Sequence, residues 1–318
     1  MLLALPFSAR AQQAGKIFRI GFLDASTASG MAVFVKIFLQ ELSKLGWIEG
    51  KNIAIEYRFG ESKGPEHLRE LAADLVRLKV DLIVVTGTGV ALAAKSATTT
   101  IPIVMTTSSD PVGLGVVASL ARPGGNVTGF AGLSPELGTK RLEILKDAVP
   151  KLTRVGILRP AGSGVSGDLQ LKELRAAAVA LKLKLEEIET KLDAKGLEVA
   201  FQTAKQKQVG AILTTSGRQN FAERKRIVEF ATKYRLPAIY PEQEFVDEGG
   251  LMSYGTDYED LYRKAAHYVD KILKGTKPAD LPVQQAMRFE FIINLKAAKQ
   301  IGITLPYELL ARANEVRK

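Results

Sequence analysis

The chain has no cysteine and only two histidines among 318 residues. Without thiols there are no disulfides, no cysteine-bound metal, no thiol nucleophile and no lipid-anchored amino-terminal cysteine. His67 and His267 lie far apart in sequence, each in a charged helical stretch. They read as surface residues, so neither a metal nor a cofactor is expected. No apolar run is long enough to span a bilayer. The motifs GxSxG, GxxxxGK[ST] and HExxH are missing, and GFLDASTASG after the first apolar run is not a GxGxxG fingerprint. No positioned nucleophile, contrasting carboxylate pair or metal cluster is visible, so no enzymatic activity is expected.

Hydrophobic residues make up 46% and charged residues 25%, the values of an ordinary globular chain long enough for two domains. The net charge is +10, yet Lys and Arg are dispersed along helical stretches and intermixed with Glu. With no dense basic block and no aromatic-basic interleaving, nucleic acid is not an expected partner. Residues 1–15 stand apart. Leu2 to Phe7 is apolar, and Ala9-Arg10-Ala11 suits a small-residue cleavage site ahead of Gln12. The segment reads as a signal peptide whose basic start lies upstream, which implies export to a periplasm.

The stretch from Ile101 to Leu133 organises the rest. It reads as a strand, a polar loop, a short helix after Pro111, a Gly124-Gly125 turn and a second strand. In the loop Thr106, Thr107, Ser108, Ser109 and Asp110 place five hydrogen-bonding side chains at the carboxyl end of a buried strand. In an open α/β sheet that edge is where ligands bind. A helix cap with Pro111 at the first helical position is the plain alternative.

Around it, strand and helix signals alternate. Lys16 to Asp24 is a strand with a polar end, Asp24 to Thr27. Met31 to Leu45 has helical spacing, Asn52 to Phe59 alternates as a strand, and Pro65 to Leu78 is an amphipathic helix. Asp81 to Val85 is a buried strand followed by Thr86-Gly87-Thr88-Gly89. There the glycines permit close backbone approach, and a helix start offers free N–H groups to a carboxylate. The rhythm restarts after Pro150 with strands at 153–158, 184–188, 210–214, 236–240 and 250–254, a long helix from Arg218 to Tyr234 and another from Tyr258 to Lys274. Its polar ends are Arg159 to Gly164, Thr214 to Gly217 and Tyr240 to Glu244.

The pattern predicts an α/β fold of two doubly wound parallel-sheet lobes whose polar rims share one cleft. The segments LGWIEGKNIAIEYR, ELAADLVRLKVDLIVVTGT, SSDPVGLGVVASLARPGGNVTG, LPAIYPEQEFVDEGGLMSYG and YVDKILKGTKPADLPVQQ carry a resemblance. Through them the chain resembles the ABC-transporter substrate-binding proteins of the tryptophan-binding type, with DPVG and PGGNVTG the most specific elements.

That resemblance implies a type I periplasmic-binding fold with a three-segment hinge and a small-molecule ligand trapped between lobes. It also implies a monomer that delivers its ligand to an ABC permease in the inner membrane. Crossings would fall near Gly132 to Pro135, Gly255 to Tyr258 and Pro278 to Pro282. The lobes would be 16–132 plus 257–280, and 133–256 plus 281–318. The implied ligand is an amino acid, aromatic ones included, or a related carboxylate. Thr86, Gly87 and Thr88 would meet its carboxylate, while Ser108 and Asp110 would hold polar or cationic groups. Asp24, Ser26 and Thr107 complete the first-lobe wall; Arg159, Thr215, Tyr240, Glu242 and Tyr254 form the second. Arg159-Pro160 and Thr215-Ser216 stand where relatives often carry Asn-Pro and Pro-Asp, and Arg159 would favour a more acidic ligand. The rival readings are an α/β enzyme or a ligand-sensing domain acting on a small polar metabolite.

Overall fold

The computed structural model describes residues 16–132 and 134–318. The signal-peptide reading therefore lies outside the described residues. The first half contains β1 (Phe18–Asp24), α1 (Ala28–Lys44), β2 (Ile53–Phe59), α2 (Pro65–Arg77), β3 (Leu82–Thr86), α3 (Thr88–Ala97), β4 (Ile103–Thr107) and β5 (Val127–Ala131). Next come α4 (Ser134–Ala148), β6 (Arg154–Pro160), α5 (Gly164–Ala180), β7 (Lys184–Thr190), α6 (Ala194–Gln206), β8 (Ala211–Thr214), α7 (Arg218–Ala222), α8 (Arg224–Lys233), β9 (Ala238–Tyr240), α9 (Glu244–Asp247) and β10 (Met252–Thr256). The chain closes with α10 (Tyr258–Leu273), β11 (Gln284–Gln285), β12 (Phe289–Asn294), α11 (Leu295–Ile301), α12 (Tyr307–Leu310) and β13 (Glu315–Arg317).

The strands form two sheets, ordered β11-β5-β4-β3-β1-β2 and β13-β12-β10-β9-β8-β6-β7. β3, β4 and β5 are buried along their whole length, as expected of parallel strands with helices on both faces. None of these short runs turns a face toward water. Leu261, Ala265, Val269 and Ile272 form the buried stripe of α10, which packs against α1 and β4. One pairing departs from the parallel pattern: β10 and β12 run antiparallel, because the chain reaches β12 by returning from the first sheet and not by a helical crossover.

Three other features depart from the sequence reading. No helix follows Pro111; the N–H groups of Val116 and Val117 both donate to the Pro111 carbonyl in a series of turns, with Gly115 at φ +69°. The long helix of the second lobe breaks at Glu223 (φ −101°, ψ 14°), which frees α7 to pack against α1 of the first lobe. The third crossing also moves. β11 pairs with β5, and Val283 and Ala286 donate to the carbonyls of Leu120 and Ala131. Residues 281–286 thus stay with the first lobe, β11 forming the edge of its sheet, and the chain changes lobe after Ala286 and not at Pro278 to Pro282. Residues 278–280 form a 3-10 turn.

Candidate functional site

In the first lobe the polar ends of β1, β3 and β4 form two separate knots. Asp24 is fully buried; its Oδ1 accepts from the Ser26 N–H at 2.7 Å and the Ser26 hydroxyl at 2.6 Å, and the Thr86 hydroxyl donates to Oδ2. These contacts tie β1 to β3 and satisfy the carboxylate internally. The second knot surrounds Thr88, whose Oγ1 lies 3.0 Å from Ser108 Oγ and accepts from the Ser109 N–H at 3.0 Å. Gly87 stands before it at φ +92°, a conformation that favours glycine, with open space where a Cβ would project. The amino end of α3, with its unpaired N–H groups, therefore opens onto the loop. Thr107 sits beside this knot in register with Thr86, across a shift in the β3–β4 ladder. Asp110 borders the same region but caps its own turn: the Gly113 N–H donates to Oδ1 at 2.8 Å.

The second-lobe residues divide differently. Arg159 is held by Asp168 at 3.0 Å and by Glu189 at 2.7 Å, and hydrogen bonding to Glu189 raises its pKa further. Thr215 is buried and accepts from Asn220 through both its carbonyl and its hydroxyl. Tyr240 stacks on Phe245 with ring centres 4.7 Å apart, inside the core. Tyr254 is half-buried, and its carbonyl accepts from Arg141 Nη1 at 3.1 Å. Glu242 is buried and accepts from Arg218 Nη2 at 2.9 Å. Burial pushes its carboxyl up to about 7, against the pull of Arg218, Arg141 and Arg224.

Several residues escaped the sequence reading. Arg141 of α4 is fully buried, bonded to Tyr254 and, at 3.0 Å, to Ser216 Oγ; burial pulls its pKa down to about 10, with Glu242 opposing. Gln170 of α5 clasps the Ser216 backbone in both directions at 2.8 and 2.9 Å. Arg218 is 7% exposed, with its guanidinium carbon 4.4 Å from the Tyr258 ring centre and 5.4 Å from that of Phe34. A buried Arg amid a helical stretch carries no distinguishing sequence signal, since most such residues are solvated.

Two grooves open between the lobes. One, of about 440 Å³, is bordered by Ser109, Asp110 and Gln285 from the first lobe and Glu136, Leu169 and Glu173 from the second. The other, of about 420 Å³, lies between Ser26, Thr27 and Ser62 on one side and Pro160, Thr190 and Gln219 on the other. Both volumes fall in the range of roughly 300–1,000 Å³ typical of small-molecule sites. Among the described residues no cluster of acidic or histidine side chains could hold a metal ion.

Two α/β lobes of like build, crossed three times by the chain and meeting at their strand ends, define a two-lobed protein of the type I periplasmic-binding fold. The chain belongs to the family described as "ABC transporter substrate binding protein", whose model matches residues 26–317. A tyrosine-binding protein of Clostridioides difficile (strain R20291) is 30% identical over 84% of this chain and 76% of its own. Among solved structures, a conserved domain protein from Vibrio cholerae is 29% identical with a TM-score of 0.84, covering 95% of this chain and 100% of the other. An ABC domain in complex with L-Trp from Streptococcus pneumonia gives 0.82 at 26% identity, and a ligand-free, open substrate-binding protein with adhesive properties from Clostridium difficile gives 0.62 at the same identity. Each of these two covers 95% of this chain and 100% of its own. At equal identity and coverage, the chain as a whole superposes better on the L-Trp complex than on the open structure.

Proposed function

We propose that the chain is the solute-capturing component of an ABC importer, exported to the periplasm and working as a monomer. Its ligand is an α-amino acid, aromatic ones included, or a related small carboxylate. The reading is carried by one observation: the carboxyl ends of both sheets converge on a shared crevice that holds grooves large enough for such a solute. The tyrosine-binding relative and the L-Trp complex support the substrate class. The ligand carboxylate would sit at the amino end of α3, facing the Thr88 and Ser108 hydroxyls, because those groups are preorganised donors. Glu242 would face the ligand ammonium from the other lobe. Asp24, Thr86, Thr215 and Tyr240 shape the walls from behind, and Ser26 and Asp110 border the grooves.

Closure around the solute stabilises the closed arrangement only by the difference in affinity for the two states. Calorimetry with L-tryptophan, L-tyrosine and L-phenylalanine tests the reading. One molecule bound per chain, recovered unchanged, is expected; conversion of the solute to product would refute it and favour an enzyme.

A further inference from the structure

The seam between α1 and α7 is built from side chains that face one another across the two lobes. Phe34 and Phe221 bring their ring centres to 4.5 Å, and Arg224 Nη1 donates to the Gly30 carbonyl at 3.3 Å. Arg218 goes furthest: it starts in the second lobe and ends in a box of first-lobe rings made by Phe34 and Tyr258, with Phe221 of its own lobe 5.2 Å away. Glu242 anchors it from behind. A planar guanidinium over aromatic faces in a water-poor site is a favourable contact that exists only while the lobes are together.

We propose that Arg218 is a positioning residue that sets ligand affinity by holding the lobes together. It does so through the aromatic box and not through contact with the solute. Arg218 Nη1 and Glu242 Oε2 remain buried without hydrogen-bond partners. Closing over them has a cost that opposes the aromatic gain, so the seam can release as well as hold. When only the closed arrangement binds tightly, the apparent dissociation constant scales inversely with the population of that arrangement. Loss of the box therefore weakens binding by the same factor as it lowers the closed fraction of the empty protein. The affinity part of the proposal rests on the crevice being the binding site; the closure part does not.

The test uses the absence of native cysteines. Lys63→Cys and Lys195→Cys, both exposed and in different lobes, carry spin labels for interlobe distance measurement on protein dialysed free of co-purified solute. Arg218→Met, and separately Phe34→Leu, which keeps apolar bulk but removes the ring, are compared with the parent. Both variants are expected to shift the empty protein toward longer distances, with affinity for L-tryptophan falling roughly tenfold and in proportion. Arg218→Lys recovers only part of the effect, because an ammonium lacks the stacking plane. Unchanged distances in both variants overturn the proposal, as does an affinity loss with no shift in distance, which would make Arg218 a direct ligand contact. If neither L-tryptophan nor L-tyrosine binds the parent, the proposed ligand class fails while the distances still decide the role of Arg218.

Discussion

Gly30 offers a test in which stability and affinity are expected to move in opposite directions. It occupies the first turn of α1, where the Thr27 hydroxyl accepts from its N–H at 3.2 Å. In an isolated helix, replacing such a glycine by alanine stabilises by about 0.5–1 kcal/mol, because glycine has more backbone freedom to lose. Here a Cβ would overlap the Ala222 Cβ of the second lobe and stand 2.7 Å from the Ala222 Cα, a backbone atom that no side-chain rotation can move away. The nearer first-lobe neighbour, Thr27 Oγ1 at 3.1 Å, is the end of a side chain that can turn. The strain is therefore absorbed by the gap between lobes. Taking about 1–3 kcal/mol for an overpacked contact, the closing equilibrium falls by roughly 5- to 150-fold, and ligand affinity follows the closed fraction, falling by up to that factor.

Gly30→Ala is expected to leave the melting temperature of the empty protein unchanged or slightly raised while calorimetric affinity for L-tryptophan drops within that range. Adding Ala222→Gly removes the opposing methyl group and should restore part of the affinity, a positive coupling in a double-mutant cycle. Affinity unchanged to within about twofold would refute the reasoning. So would a fall in melting temperature alongside the affinity loss, since Gly30 would then matter to the fold and not to closure.

Glu244 is buried, and burial first of all raises its carboxyl from 4.5 to about 8, with Glu242 adding repulsion. The folded chain therefore keeps a proton that the unfolded chain has released between those two values. Stability is full below the unfolded value and is lost as pH rises toward 8. Melting temperature should fall from pH 5 to pH 8, and Glu244→Gln should flatten that slope; an equally steep slope in the variant would exclude Glu244 as its source. Asp110→Ala removes the cap on Gly113 and should cost about 1 kcal/mol by thermal melting while binding per folded molecule persists; a loss of affinity with unchanged stability would instead make Asp110 a ligand contact. Arg159→Ala should change ligand affinity by less than about twofold, because its guanidinium is already committed to two partly exposed carboxylates. A large loss by calorimetry would return it to the binding wall.

What could be read in advance depended on whether a residue's role is fixed by its neighbours in sequence or by those across the fold. The strand ends were legible because β3, β4 and β8 are short runs, apolar until their closing Thr residues and then followed by Thr, Ser and Gly, and such a switch has few structural meanings in a βα series. The Thr88 and Ser108 knot was accordingly foreseeable. The helix expected after Pro111 failed because Gly113 and Gly115 break helical continuity locally, a signal present in the sequence and outweighed by the capping pattern. β11 could not be recognised, since two glutamines in an exposed edge strand have neither period nor burial to mark them. The same holds with more consequence for Arg218. In sequence it opens a basic stretch, Arg218, Arg224, Lys225 and Arg226, that looks like one solvated helix face. Only the break at Glu223 and the apposition of α7 with α1 turn one member of that stretch into an interlobe contact. Residues that line a rim are thus encoded locally by their loop. A residue that couples the lobes is defined by the partner it meets when they close, and that is why Arg218 and Gly30 entered only with the structure.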